Sequence, residues 1–247
     1  MGPPANAAAP RRSERPTFQA TIEGRDISGV WVINEYVASA RPTEEKVTRT
    51  ITGEYPPLLP WADAIYRKRQ DDDRKGLGFA APDAYCLPSG MPMMMTNAGF
   101  PIQIIQSPGQ VTMLHELQHL HRQIYIDQPQ ETDPDPTFMG HSVGRWRGDT
   151  LVVDTVGRND KTTLDMLGMP HTDKLHVVER IRRLSHDTLE DVITIDDPGA
   201  FSRPWDLRRT FKLQPKGVYP LEYVCLDGQR NTPDEQGRPT FPQGRPR

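Results

Sequence analysis

The sequence predicts an all-β chain, a single antiparallel meander closing into a β-barrel of about ten strands with one short helix near residues 59–70. Three observations predict it. Short runs alternate apolar and polar residues, the period of a half-buried strand. Gly, Pro and Asp punctuate those runs, and most of the links fit tight turns between antiparallel neighbours. Only LPWADAIYRKRQ (59–70) reads clearly as helix, with the following DDDRK read as solvated.

In chain order the strand candidates are GVWVINEYV (29–37), FPIQIIQ (100–106), VTMLHEL (111–117), HLHRQIYI (119–126), MGHSVGRW (139–146), TLVVDTV (150–156), LHVVERIRRL (175–184), TLEDVITI (188–195), WDLRRTFKL (205–213) and LEYVCL (221–226). The RGD at Arg147 to Asp149 falls between two of them and reads as a hairpin turn. Met1 to about Ala20 and Asp227 to Arg247 are rich in Pro and charge with little to bury, so they read as disordered tails around a barrel domain at 21–226.

HELQH (115–119) has the H-x-x-x-H spacing of zinc peptidases, with Glu116 where a general base would stand. That chemistry needs a helix, to bring His115 and His119 onto one face. Met113, Leu117, Leu120 and Ile124 also recur at helical spacing. The flanks decide for an extended segment: FPIQIIQ and SPGQ upstream are a strand and a turn, and RQIYID downstream is β-branched and aromatic.

The 247 residues are 35% hydrophobic and 26% charged, enough for a real core. A net charge of -3 with a pI near 6.2 supplies no clustered basic surface, so neither nucleic acid nor an anionic membrane is an expected partner. The expected partners are a small-molecule substrate and, at most, a second copy in a homodimer. The opening MGPPANAAAPRRSERPTF has no apolar signal core and no run approaches a membrane span, so the chain reads as cytoplasmic, or as exported if a leader was removed. Cys86 and Cys225 allow one bridge at most; left unpaired, they read as small buried hydrophobes.

Alternation sends every second side chain into a barrel, so ionisable residues on an apolar face are informative. Glu179 lies among Leu175, Val177 and Ile181; Arg209 among Trp205, Leu207, Phe211 and Leu213; Arg122 among Leu120, Ile124 and Ile126. Buried opposite charges pair, so Glu179 is expected against Arg209 or Arg122, with the other arginine left to hold a substrate carboxylate. From Asp135 to Arg183 the chain is dense in polar groups, and a carboxylate beside an imidazole makes an acid–base pair near neutrality. The candidate catalytic residues are His141, Asp160, His171 and Glu179, and the candidate substrate-binding residues Arg122, Tyr125, Trp146, Asn159, Lys161 and Arg209. The long polar segment 157–171 is expected at the barrel mouth beside the strand of His141. Ser142 has no nucleophile elbow, and GMPMMM (90–95) reads as adaptable core filling. No Gly-rich nucleotide loop and no zinc-spaced Cys/His set is visible; neither cofactor nor metal is expected.

DPTFMGHSVGRWRGDTLVVDTVGRNDK, with PHTDKLHVVERIRR and TIDDPGAFSRPW after it, resembles a large, mainly uncharacterised family of bacterial proteins, many of them exported. The resemblance covers about Ile27 to Asp227 and extends to Glu116, His119, Arg122, Tyr125 and Asp127. The family commonly has tyrosine where His115 stands, which makes the peptidase spacing accidental. The pattern also looks like the lipocalin-type barrel that phenolic acid decarboxylases use, an analogy of fold alone.

The leading expectation is a cofactor-independent lyase for a small aromatic acid or lignin-derived phenol, working by decarboxylation, deformylation or a related elimination. Two alternatives differ in class. One is a metal-assisted hydrolase using His115, His119 and His121, or His141, Asp160 and His171; the other is a non-catalytic barrel that binds an apolar ligand.

Overall fold

Nine of the alternating runs are strands, and in the computed structural model they close into one barrel in the order β1 to β9. They are β1 Gly29–Ile33, β2 Ile102–Ser107, β3 Gln110–His115, β4 His121–Ile126, β5 His141–Arg147, β6 Thr150–Val156, β7 His176–Ser185, β8 Thr188–Asp196 and β9 Trp205–Leu213. The structure describes residues 25–33, 47–77, 82–96, 99–223 and 225. Both tails, and residues 34–37 of the first strand candidate, lie outside the described residues.

Burial follows the alternation. Leu151, Val153 and Thr155 of β6 point inward, as do Val177, Glu179 and Ile181 of β7 and Leu189, Asp191, Ile193 and Ile195 of β8. The register sets Val153 beside Glu179, and Glu179 beside Ile193.

Three corrections concern the elements. First, the meander is not antiparallel throughout: β4 and β5 pair in parallel, Ile124 beside Ser142 and Ile126 beside Gly144. Residues 127–140 carry the chain back to the end where β4 began, and Gly140 (φ +72°) turns it into β5. A Cβ there would lie 2.5 Å from the Val156 carbonyl, so only glycine fits. Second, LEYVCL is no strand in its described part, because side chains satisfy its backbone: Leu221 N–H donates to Glu116 and Tyr223 N–H to His119. Third, the helix α1 runs Pro60–Arg74, through the acidic run read as solvated. Asp63 pairs with Arg67 (2.8 Å), Asp72 with Lys68 (2.5 Å), and Asp71 with Arg74, so the helix neutralises its own carboxylates.

Hairpin geometry gives the barrel two distinct ends. The turns after β2, β5, β7 and the start of β1 form one. The other carries everything longer: α1, the one-turn helix α2 (Met93–Thr96), the β3–β4 turn, and residues 157–175 and 197–204. This second end is capped. Met91, Met93, Met94 and Met95 are buried in the core, as the reading of GMPMMM predicts. Tyr66 of α1 donates to Asp165 (2.5 Å) and Arg69 to the Gly168 carbonyl, pinning the helix onto the 157–171 segment.

Candidate active site at the capped end of the barrel

HELQH is not an α-helix, and only its first residue belongs to a strand. His115 ends β3 with its side chain inward, residues 117–119 make a single 3-10 turn, and Gln118 and His119 take positive φ (60° and 50°) before β4 begins at His121. The expectation of an extended segment fails there, because the motif is itself the connection between two antiparallel strands. Its polar side chains hold other parts of the chain. Gln118 accepts from Ser89 N–H (3.0 Å) and donates to the Leu87 carbonyl (2.6 Å). Glu116 accepts from Leu221 N–H (2.8 Å), and the His119 Nε2 lone pair accepts from Tyr223 N–H (2.7 Å). The two segments so held are joined covalently, since Cys86 and Cys225 form a disulfide.

Inside the barrel the expected ion pair is Glu179 with Arg122. Arg122 donates to the carboxylate through Nη1 (2.9 Å) and through Nη2, and also to Thr155 Oγ1 (2.9 Å) and Ser142 Oγ (3.1 Å). Both side chains are sealed from solvent, 1% and 0% exposed. Four of its five N–H donors are taken, so its geometry is that of an internal bridge rather than a free carboxylate anchor. Asp191, which the sequence reading passed over although it alternates with Leu189 and Ile193, lies beside this pair. Its two oxygens are buried without a donor directed at them. Burial first, and the Glu179 charge second, push its carboxyl well above the usual range. Both causes favour the protonated form of the Asp191 carboxyl.

Closer to the cap the 157–171 segment folds inward, burying Leu164, Leu167 and Met169 in the core. His171 is 5% exposed and sits in a chain of three hydrogen bonds. Arg158 Nη2 donates to Thr162 Oγ1 (2.8 Å), and the Thr162 hydroxyl meets His171 Nε2 (2.7 Å). His171 Nδ1 faces the Thr172 carbonyl (2.9 Å), which fixes the proton on Nδ1 and leaves Nε2 as acceptor. Burial, and then the charge of Arg158, lower its pKa to about 4. The ring is neutral at physiological pH. Arg158 is 1% exposed; burial first and Arg122 second lower its pKa to about 9, and its Nε and Nη1 have no acceptor. His115 is enclosed likewise, its Nε2 without a partner and its pKa lowered to about 3, by burial and then by Arg122.

The remaining candidates stand elsewhere. His141 is on the outer face of β5, stacked on Tyr125 (5.4 Å) and bonded through Nδ1 to Gln130 (3.1 Å). Its strand partner by one, Ser142, is the inward one. Trp146 lies at the opposite end of the barrel, with Arg25 over its ring. Asp160 and Lys161 are exposed, and Asn159 caps the local turn by accepting from Lys161 N–H (3.1 Å). Arg209 is partly buried within electrostatic reach of Asp191. Of the acid–base set His141, Asp160 and His171, only His171 faces the interior; Asp160 acts on it through charge alone. Among the described residues no three His, Cys, Asp or Glu side chains come together to hold a metal ion. Besides Asp191, sequence reasoning missed Arg158 and Thr162, because these two lie beyond the end of β6, where alternation no longer reports which way a side chain points.

No family model, no curated protein and no solved structure matches the chain. The site is therefore read from its own residues.

Proposed function

We propose that the chain is a cofactor-independent lyase for a small aromatic acid or lignin-derived phenol, acting by decarboxylation, deformylation or a related elimination at the capped end of the barrel. The observation that carries this reading is His171, a neutral imidazole withdrawn from water whose Nε2 lone pair is occupied only by the hydroxyl of Thr162. A substrate O–H that displaces that hydroxyl meets a ready proton acceptor. The resulting imidazolium stands beside the Arg158 guanidinium, a repulsion that drives the proton back onto substrate carbon once the bond has broken. One group thus serves as base and then as acid.

Turnover of a panel of hydroxycinnamic and hydroxybenzoic acids, followed by loss of ring absorbance, tests it. His171→Ala lowers turnover by about 10²-fold or more, whereas His141→Ala, on the outer face, leaves it within about twofold of wild type. Equal loss in both variants, or none in either, contradicts the assignment. Binding of the acids without turnover favours a non-catalytic binding barrel instead.

A further inference from the structure

Arg158 is the least explained charge in the described structure. A guanidinium carries five N–H donors, and the hydrogen bonds described for Arg158 use one, to Thr162. Nε and Nη1 are enclosed and point at no acceptor. No carboxylate forms an ion pair with it in the described structure; the charge that acts on it is that of Arg122, and Thr162 links it to the neutral His171 ring. Arg122, at similar depth, shows what such a group requires, with a bidentate Glu179 and two hydroxyls around it. The chain closes tightly over Arg158: a Cβ added to Gly90 (φ +69°) would lie 3.1 Å from its Nη2 and 2.5 Å from the Phe138 carbonyl. A second enclosed and unpartnered donor or acceptor, His115 Nε2, faces the lumen from the same end of the barrel.

We infer that Arg158 is the anchor of an anion site at the capped end of the barrel, and that the ligand it takes is the carboxylate of a small organic acid. The inference rests on the reading of His171 as the proton-transfer group and names the substrate class for it. A carboxylate supplies two parallel acceptors to a guanidinium and restores the charge balance of a buried cation. It also acts on the chemistry. A negative charge beside Arg158 offsets the repulsion that, after burial, lowers the His171 pKa, so the bound acid raises the basicity of the group that works on it. The site is thereby switched on by its own substrate. Thr162 links anchor and base, so displacing its hydroxyl from Nε2 leaves it free to turn to the ligand.

Isothermal titration of the full chain with benzoate, and separately with inorganic phosphate, decides the matter, using Arg158→Met, Arg158→Lys and the wild type, each checked for native circular dichroism. Benzoate is expected to bind wild type at one site, about tenfold or more weaker with Arg158→Lys, which keeps the charge but loses the fork, and weaker again with Arg158→Met. Unchanged benzoate affinity in Arg158→Met, or no benzoate binding by wild type, overturns the site. Phosphate binding tighter than benzoate overturns the carboxylate assignment. The two proposals fail separately. Arg158-dependent benzoate binding in a protein that turns over none of the acids leaves the anion site standing and sinks the lyase reading. Turnover that is lost with His171→Ala but survives Arg158→Met does the reverse.

Discussion

Among single residues, the buried charges divide into those that are matched and those that are not. Glu179 is matched by Arg122, and Glu179→Ala leaves a sealed guanidinium without its partner. Chemical denaturation of that variant is expected to show a loss of about 3 kcal/mol or more; a loss below about 1 kcal/mol would mean the pair is solvated. Burial and the Glu179 charge favour a neutral Asp191 carboxyl, so Asp191→Asn keeps its shape and neutrality and is expected to change stability by less than about 1 kcal/mol. A large loss there contradicts the protonated state. The neutral histidines give a pH dependence of definite sign. The folded pKa of His115 lies at about 3, below its ordinary 6.5, so between these values the unfolded chain binds the extra proton and stability falls as pH falls. Asp191 works in the opposite direction, because its carboxyl pKa is raised in the folded chain and the folded chain therefore binds the extra proton. The difference between wild type and His115→Gln isolates the histidine. The variant's stability is expected to decline less steeply from pH 6.5 to pH 4 than that of wild type, and parallel curves would show that His115 titrates normally.

Strands were legible and connections were not. Period-2 alternation identified all nine strands within a few residues at each end, because each buries one face. The parallel β4–β5 pair was hidden: strand patterns carry no direction, and residues 127–140 look like any polar loop. HELQH failed for a related reason. Its helical spacing is real in the letters, but positive φ at Gln118 and His119 is dictated by the turn and by the segments those side chains hold. The element-scale consequence concerns the strap at 221–225. Glu116 and His119 fasten its backbone and the disulfide to Cys86 closes it. Cys225→Ser is expected to lower stability by about 2–5 kcal/mol, and adding Glu116→Ala and His119→Ala is expected to make residues near 221 newly sensitive to limited proteolysis. Resistance equal to wild type in the triple variant would show that the strap is held by other contacts.

For the molecule as a whole, the closed barrel, its capped end and the disulfide form one system. Among the described residues no helix is long and apolar enough to cross a membrane. Of the interior groups, sequence alternation found Glu179 and Arg122 but had no purchase on Arg158, Thr162 and the inward fold of the 157–171 segment. Those positions lie outside the nine strands, Arg158 on an isolated bridge to Thr137, and the packing of Leu164, Leu167 and Met169 turns the segment inward. The proposed chemistry requires His171 to be neutral, buried and coupled to an acid held by Arg158. Histidine-selective nitrogen NMR of the full chain measures this directly, with the His171 signal assigned by its loss in His171→Asn. The ring is expected to remain an Nδ1–H neutral tautomer well below its ordinary pKa of 6.5, down to about 4, and to titrate higher when benzoate is present. A His171 ring that titrates near 6.5 and is indifferent to benzoate would contradict both the buried base and the anion site beside it.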